Sequence, residues 1–268
     1  MIQLSAQTRL VPGNTLREKH DNALRLGLDG IELEGFPMIE IAQTALSEGA
    51  PATAMCSGHR GWFIDPDPTE IEACIEDVKR LLELGSDLDA PLIVVPIYGR
   101  THYLPAHCGT GRTPEEDEHL WLEGLAEVTA YAEQVGGRLL IEAINRYQNG
   151  VCVTLDDAVR FSRAVASPQV KAMADIFHMN IEEPRIGASL ELAMPDLGYV
   201  HLSDSNRLEP GAGHIDFTEV FSSLIQGGYD GWVSLECNWS SPDVEECLSR
   251  TTHLLRSTLT AAQSALAR

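Results

Sequence analysis

Short apolar runs, most of about four to seven residues, alternate along the chain with longer stretches in which apolar residues recur at three- and four-residue steps. This is the pattern of repeated strand–helix units whose strands are parallel and covered by helices. The strands are expected to begin near Ile2, Gly30, Ala52, Leu92, Arg138, Lys171, Tyr199 and Trp232. Eight such units predict an α/β fold, one (β/α)8 barrel domain over residues 1–268, with its active site on the face where the strands end.

Helix boundaries fit this reading. Asp156 and Asp157 open the helical stretch DDAVRFSRAVA, and Pro68, Thr69 and Glu70 open a longer one that runs to Leu84. Within the latter, Ile71, Cys74, Ile75, Val78, Leu81 and Leu82 form one apolar face, which makes Cys74 a core residue. Residues 91–97, PLIVVPI, lack polar alternation, as expected of a strand buried on both faces. The connection that follows, YGRTHYLPAHCGTGRTPEED, is the longest irregular one in the chain and is read as a lid. Its His102, His107 and Cys108 have no partners at ligand spacing, so the lid reading is preferred to a metal site.

Composition narrows the choice of partner. Acidic residues outnumber basic ones 40 to 19, a formal charge of -21, so the surface would repel phosphate backbones and anionic headgroups. Nucleic acid and membrane are therefore poor partners. Cysteines at positions 56, 74, 108, 152, 237 and 247 include no CxxC pair and read as reduced core thiols. The start MIQLSAQTRLVPG has no basic segment leading into an apolar one, and no run of about 18 apolar residues occurs, so a cytoplasmic enzyme is expected.

Candidate chemistry lies late in, or just after, the last four predicted strands: Glu142 in LLIEAINRY, Asp175 in KAMADIFHMN, His201 in YVHLSDSN and Glu236 in WVSLECNW. In a barrel these positions converge on one centre. Three carboxylates brought together there need a compensating cation, and three carboxylates with one imidazole suit Mn, Mg or Co and tolerate Zn. A single glutamate ending a strand is more often an ion-paired or capping side chain; four in register are hard to ascribe to coincidence.

The segments IEAINRYQNG, ADIFHMNIEEPRIG, VHLSDSNRLEPGAGHIDF and GWVSLEC resemble the motifs of the xylose-isomerase-like TIM-barrel sugar isomerases and epimerases, especially the ketose 3-epimerase branch. The likeness runs from CSGHRGW onward, and ADIFHMNIEE is its most diagnostic stretch. It implies that Glu142, Asp175, His201 and Glu236 hold one divalent ion, with Mn the first choice, and that Glu142 and Glu236 act as the catalytic acid–base pair. It further implies that His178 and Arg207 hold the oxygens of a small sugar substrate. Homodimers or homotetramers are a guess from the resemblance alone. Gln148 departs from the branch, which usually has glutamate there among its substrate contacts; the amide keeps the hydrogen bonds and loses the charge. Trp62, with His59, is read as a pocket wall offering an aromatic face to the sugar.

The chemistry expected is proton transfer at a carbon beside a carbonyl, through an enediolate. Three alternatives use the same fold: a keto-inositol or sugar-acid dehydratase on the same metal site, a three-zinc endonuclease suggested by HLSDSN, and a non-catalytic sugar-binding module. The endonuclease would need further histidines and carboxylates on the early strands and a DNA groove at odds with the acidic charge. A binding module would have no use for an acid–base pair.

Overall fold

A computed structural model describes residues 1–97 and 110–266. Eight parallel strands close into a barrel in chain order: β1 (Gln3–Gln7), β2 (Gly30–Glu34), β3 (Met55–Cys56), β4 (Leu92–Val94), β5 (Leu139–Glu142), β6 (Val170–Asp175), β7 (Leu197–Leu202) and β8 (Trp232–Leu235). β8 pairs with β1 to complete the ring. Outside it stand α1 (Leu16–Arg25), α2 (Met38–Glu48), α3 (Pro68–Leu88), α4 (Pro114–Val135), α5 (Leu155–Ala164), α6 (Ile176–Glu182), α7 (Ile186–Ala193), α8 (Phe217–Gln226) and α9 (Val244–Leu266). The expected eightfold barrel is what the chain forms.

Strand starts at Gly30, Leu92 and Trp232 are as read from the sequence, and those near Ile2, Arg138 and Lys171 lie within one residue of the observed ends. β7 begins two residues before Tyr199. β3 begins three residues after Ala52, because residues 53 and 54 hydrogen-bond to β2 alone before the ladder to β4 takes hold at Met55. The cap of α5 also lies earlier than the aspartates suggested. Thr154 accepts the amide of Asp157, and the Asp157 side chain returns a bond to the Thr154 amide, so the aspartate is the third helical residue of a capping box. α3 runs one turn beyond Leu84 and ends at Asp89, which adopts a left-handed conformation. Cys74 is fully buried, as its helical position implied. The proposed lid residues His102, His107 and Cys108 lie outside the described residues. Among the described residues no helix is long and apolar enough to cross a membrane.

Two apolar layers hold the fold. The larger lies between the outward faces of the strands and the helices, with Trp121, Phe63 and Phe161 among its fully buried rings. The smaller fills the barrel interior with Ala54, Ile93, Leu140, Met173 and Tyr199. Trp121 packs edge-to-face on Phe63 at 4.9 Å, which ties the outer layer to the loop after β3.

That loop meets the loop after β2 through two glycines. Gly58 has φ +79°, and a Cβ there would stand 2.2 Å from the carbonyl oxygen of Gly35 and 2.8 Å from Cβ of Met38. The Gly58 carbonyl in turn accepts the Met38 amide at 2.9 Å. Gly58→Ala is therefore expected to destabilise the fold by about 2 kcal/mol or more, from positive φ and backbone collision together. Urea denaturation followed by circular dichroism should show a lower midpoint with an unchanged slope.

Candidate metal centre and active site

Residues two apart on a strand share a face, and in a closed barrel the inward faces meet. The barrel's apolar filling includes Leu140, Met173 and Tyr199, and two residues further along the same strands stand Glu142, Asp175 and His201. Ser234 pairs with His201 across β7 and β8, and two residues beyond it is Glu236. One step of the pleat thus carries each of the last four strands from packed interior to polar site.

Glu142, Asp175, His201 and Glu236 each offer one ligand atom, and these atoms lie within 4.8 Å of one another. All but Glu236 are buried. His201 Nδ1 is 2.8 Å from Glu236 Oε2, 3.7 Å from Glu142 Oε1 and 3.8 Å from Asp175 Oδ2. Its other ring nitrogen, Nε2, is 2.9 and 3.0 Å from the two oxygens of Glu32, so that nitrogen carries the proton and Nδ1 is turned into the cluster. Nδ1 and Glu236 Oε2 are both buried and neither is aligned for a hydrogen bond, although they approach closely. A buried imidazole nitrogen with no aligned partner, facing three carboxylates in an oxygen-rich donor set, fits a divalent cation.

The electrostatics agree. Burial alone would lower the His201 pKa, but Glu32 and Glu236 outweigh it and push it well above the ordinary value, so the cluster demands positive charge at this spot. Burial and the charge of Glu236 push Glu142 up to about 7, with His201 opposing them. Burial acts the same way on Glu236, yet Arg207 and His201 hold that carboxyl well below the usual range.

Glu32 is the residue that the sequence reading missed. It lies fully buried in β2, accepts from Gln7 Nε2 at 3.1 Å and from the Tyr199 hydroxyl at 3.1 Å, and so stands in a polar layer beneath the cluster. Thr53 and Ser5 extend that layer, at 2.7 and 3.3 Å from the same hydroxyl. Glu32 alone in it bonds the ring of His201; the other members hold Glu32 and the Tyr199 hydroxyl in place.

Above the cluster opens a cavity of about 660 Å³, lined in part by Glu142, His178, Arg207, Glu236 and Trp62. Arg207 sits on the carboxylates: one guanidinium nitrogen is 2.9 and 2.7 Å from the Asp175 oxygens, and the other is 2.6 Å from Glu236 Oε2. His178 Nδ1 accepts from the amide and the side chain of Asn145 at 3.2 and 2.7 Å, which leaves Nε2 as the protonated nitrogen, 4.0 Å from Asp175. Asp175 also accepts the amides of Phe177 and His178 as the cap of α6, so one carboxylate ends a strand, starts a helix and faces the cluster. Gln148 is placed differently. It lies in the turn after β5, bonded through its amide to the Asn145 carbonyl, and is not part of the cavity lining; its Oε1 is buried without a partner.

Comparison with known proteins supports one relationship. A family model described as xylose isomerase-like TIM barrel matches residues 21–258. The chain is 31% identical over 240 residues to a 3-dehydro-D-guloside 4-epimerase of Escherichia coli (strain K12), covering 88% of this chain and 92% of that protein. It is 29% identical over 225 residues to a D-psicose 3-epimerase of Ruminiclostridium cellulolyticum, covering 81% and 76% of the two. A crystal structure of a 3-keto-D-glucoside 4-epimerase from E. coli superposes with a TM-score of 0.86 at 26% identity, over 96% of this chain and 100% of that one.

Glu32→Gln is expected to lower affinity for a divalent cation by about 10–100-fold, because an amide no longer fixes the tautomer and tilt of His201 as the carboxylate does. Calorimetric titration with Mn2+ would measure it, and an unchanged affinity would contradict the role given to Glu32.

Proposed function

The chain belongs to the xylose isomerase-like TIM barrel family, and on that premise we propose that it is a divalent-metal-dependent sugar epimerase that inverts a hydroxyl-bearing carbon next to a ketone. The observation that carries this reading is the convergence of four ligand-type side chains, two of which, Glu142 and Glu236, line one cavity. Glu142, Asp175, His201 and Glu236 would hold the cation, with manganese first among ions suited to this donor set. Bound there, it would supply Lewis acidity, drawing negative charge from the ketone oxygen as the neighbouring carbon loses its proton.

The protein's own groups do the rest. Glu142 reaches the cavity from β5 and Glu236 from the end of β8, with β6 and β7 between them. One carboxylate takes the proton from carbon, and the other delivers a proton to the opposite face of the same carbon. No atoms are gained or lost, and the configuration inverts. The protonated Nε2 of neutral His178, whose pKa burial holds down, suits it to donate to a sugar oxygen. Arg207 can donate to a second oxygen while balancing the carboxylates. Trp62 offers a ring face to sugar C–H groups.

These two transfers epimerise C3 of a 2-ketose or C4 of a 3-keto glycoside equally well, because each carbon bears a hydroxyl and adjoins the ketone. The sequence motifs favour the first. The second is favoured by the relative in which the match covers 92% of the length, a 4-epimerase. The three-zinc alternative finds little support, since among the described residues the four ligands are the one group of three or more such side chains within metal reach.

The test is incubation with Mn2+ in D2O, using a free ketohexose and a methyl 3-keto-hexoside as substrates. One deuterium at C3 of the ketohexose or at C4 of the 3-keto-hexoside, with inversion, is the expected result. Deuterium at C1 would instead indicate aldose–ketose isomerisation, and net loss of water a dehydratase. Glu142→Gln and Glu236→Gln, assayed in excess Mn2+, should each lower turnover by about 10²–10⁴-fold. Normal turnover in either variant would remove that residue from the mechanism.

A further inference from the structure

The residues of the proposed mechanism, Trp62 aside, occupy one half of the barrel mouth, above β5 to β8. The cavity continues over the other half, where the end of β2 supplies Glu34 and the loops after β2 and β3 supply Phe36, His59 and Trp62. Its volume of about 660 Å³ falls well inside the range of pockets that enclose drug-sized ligands, more room than the twelve or so heavy atoms of one hexose require.

The chemistry of this half is that of a sugar site. Phe36 is 68% exposed, an aromatic ring left in solvent at the rim. Trp62, half-buried, presents a second aromatic wall and packs edge-to-face with His59 at 5.3 Å. His59 is buried; its Nδ1 lies 3.1 Å from the Arg60 carbonyl and 3.6 Å from the Cys74 sulfur, while Nε2 has no partner. With Nδ1 donating to the carbonyl, Nε2 is an unused acceptor on a residue of the cavity wall. Glu34 adds a half-buried carboxylate, with the Arg9 guanidinium 4.0 Å away as its ion-pair partner. Flat apolar faces beside unsatisfied acceptors match a pyranose ring, which has a C–H face and a rim of hydroxyl donors.

We propose that the β2–β3 half of the cavity is a second sugar subsite, and that the substrate is a 3-keto disaccharide whose oxidised ring lies at Glu142 and Glu236 while its other ring rests on Phe36 and Trp62 with a hydroxyl on His59 Nε2. This rests on the epimerase reading and goes beyond it, since that reading is satisfied by a single sugar ring.

The experiment compares kcat/KM of the Mn2+-loaded protein for methyl 3-keto-glucoside with that for maltose and cellobiose oxidised at C3 of the non-reducing ring. At least one disaccharide is expected to be preferred by about tenfold or more, carried by KM, as one stacked ring would give. Phe36→Ala and His59→Gln should each shrink that ratio toward one; because Phe36 is exposed, its removal is not confounded by misfolding. A ratio near one in the unmodified protein, or a ratio that survives both substitutions, overturns the proposal. If a free ketohexose turns over and no 3-keto glycoside of either size does, the disaccharide substrate is overturned; if none of these sugars turns over, the epimerase reading fails instead. Calorimetric binding then decides the subsite: tighter binding of unoxidised maltose or cellobiose than of methyl glucoside, lost in Phe36→Ala, upholds it, and equal or absent binding overturns it.

Discussion

Three carboxylates and an imidazole packed within 4.8 Å at the mouth of a barrel, with a fourth carboxylate buried beneath, set the constraint to which the rest of the site answers. Taking such charges out of water is costly unless positive charge is placed among them. The structure holds two partial answers. Arg207 spans Asp175 and Glu236 from above, and His201 is driven toward protonation from within. Neither reaches all the carboxylates at once, whereas an ion at the common focus would. Glu32 then has a clear purpose: by accepting the hydrogen bond that Nε2–H donates, it turns Nδ1 of His201 to that focus.

Barrel closure is what makes this arrangement possible. The same two-residue pleat places Leu140, Met173 and Tyr199 in a packed plug and Glu142, Asp175 and His201 one level higher. Tyr199 belongs to both levels, its ring in the plug and its hydroxyl on Glu32. The site is therefore stiff because its foundation is stiff: displacing His201 would disturb Glu32, then Gln7 and Tyr199, then the interior packing.

The convergence of Glu142, Asp175, His201 and Glu236 was legible in the sequence because each interrupts or ends an apolar run, and because chain order alone predicts that strands five to eight are neighbours. Glu32 was not. In GIELE it alternates with apolar residues beside Glu34, which on an open sheet is the mark of a solvated face. Closure turns that face inward, and only then is Glu32 a buried carboxylate in need of partners. Thr154 was missed for a smaller reason, since two aspartates beside a threonine each make a plausible cap and the backbone alone selects among them. Gln148, expected among the substrate contacts, lies in the turn after β5, outside the cavity lining among the described residues.

The relatives include epimerases named for C3 and one named for C4, and the proposed reaction accommodates either carbon. Whether the carbon inverted is numbered three or four depends on where the ketone sits in the sugar; beside the ketone, the proton to be moved and the charge to be stabilised are the same. A ligand cluster can therefore fix the chemistry without fixing the substrate. What distinguishes a free ketose from a keto ring joined to another residue is the direction in which the molecule continues once its ketone is placed. Over β5 to β8 the space is taken by the ligands, His178 and Arg207. Continuation over β2 and β3 meets Phe36, Trp62 and the unpartnered nitrogen of His59. On the proposed reading, specificity would reside in the loops after β2 and β3, apart from the candidate ligand cluster, so that changes there could redirect the enzyme among sugars without altering that cluster.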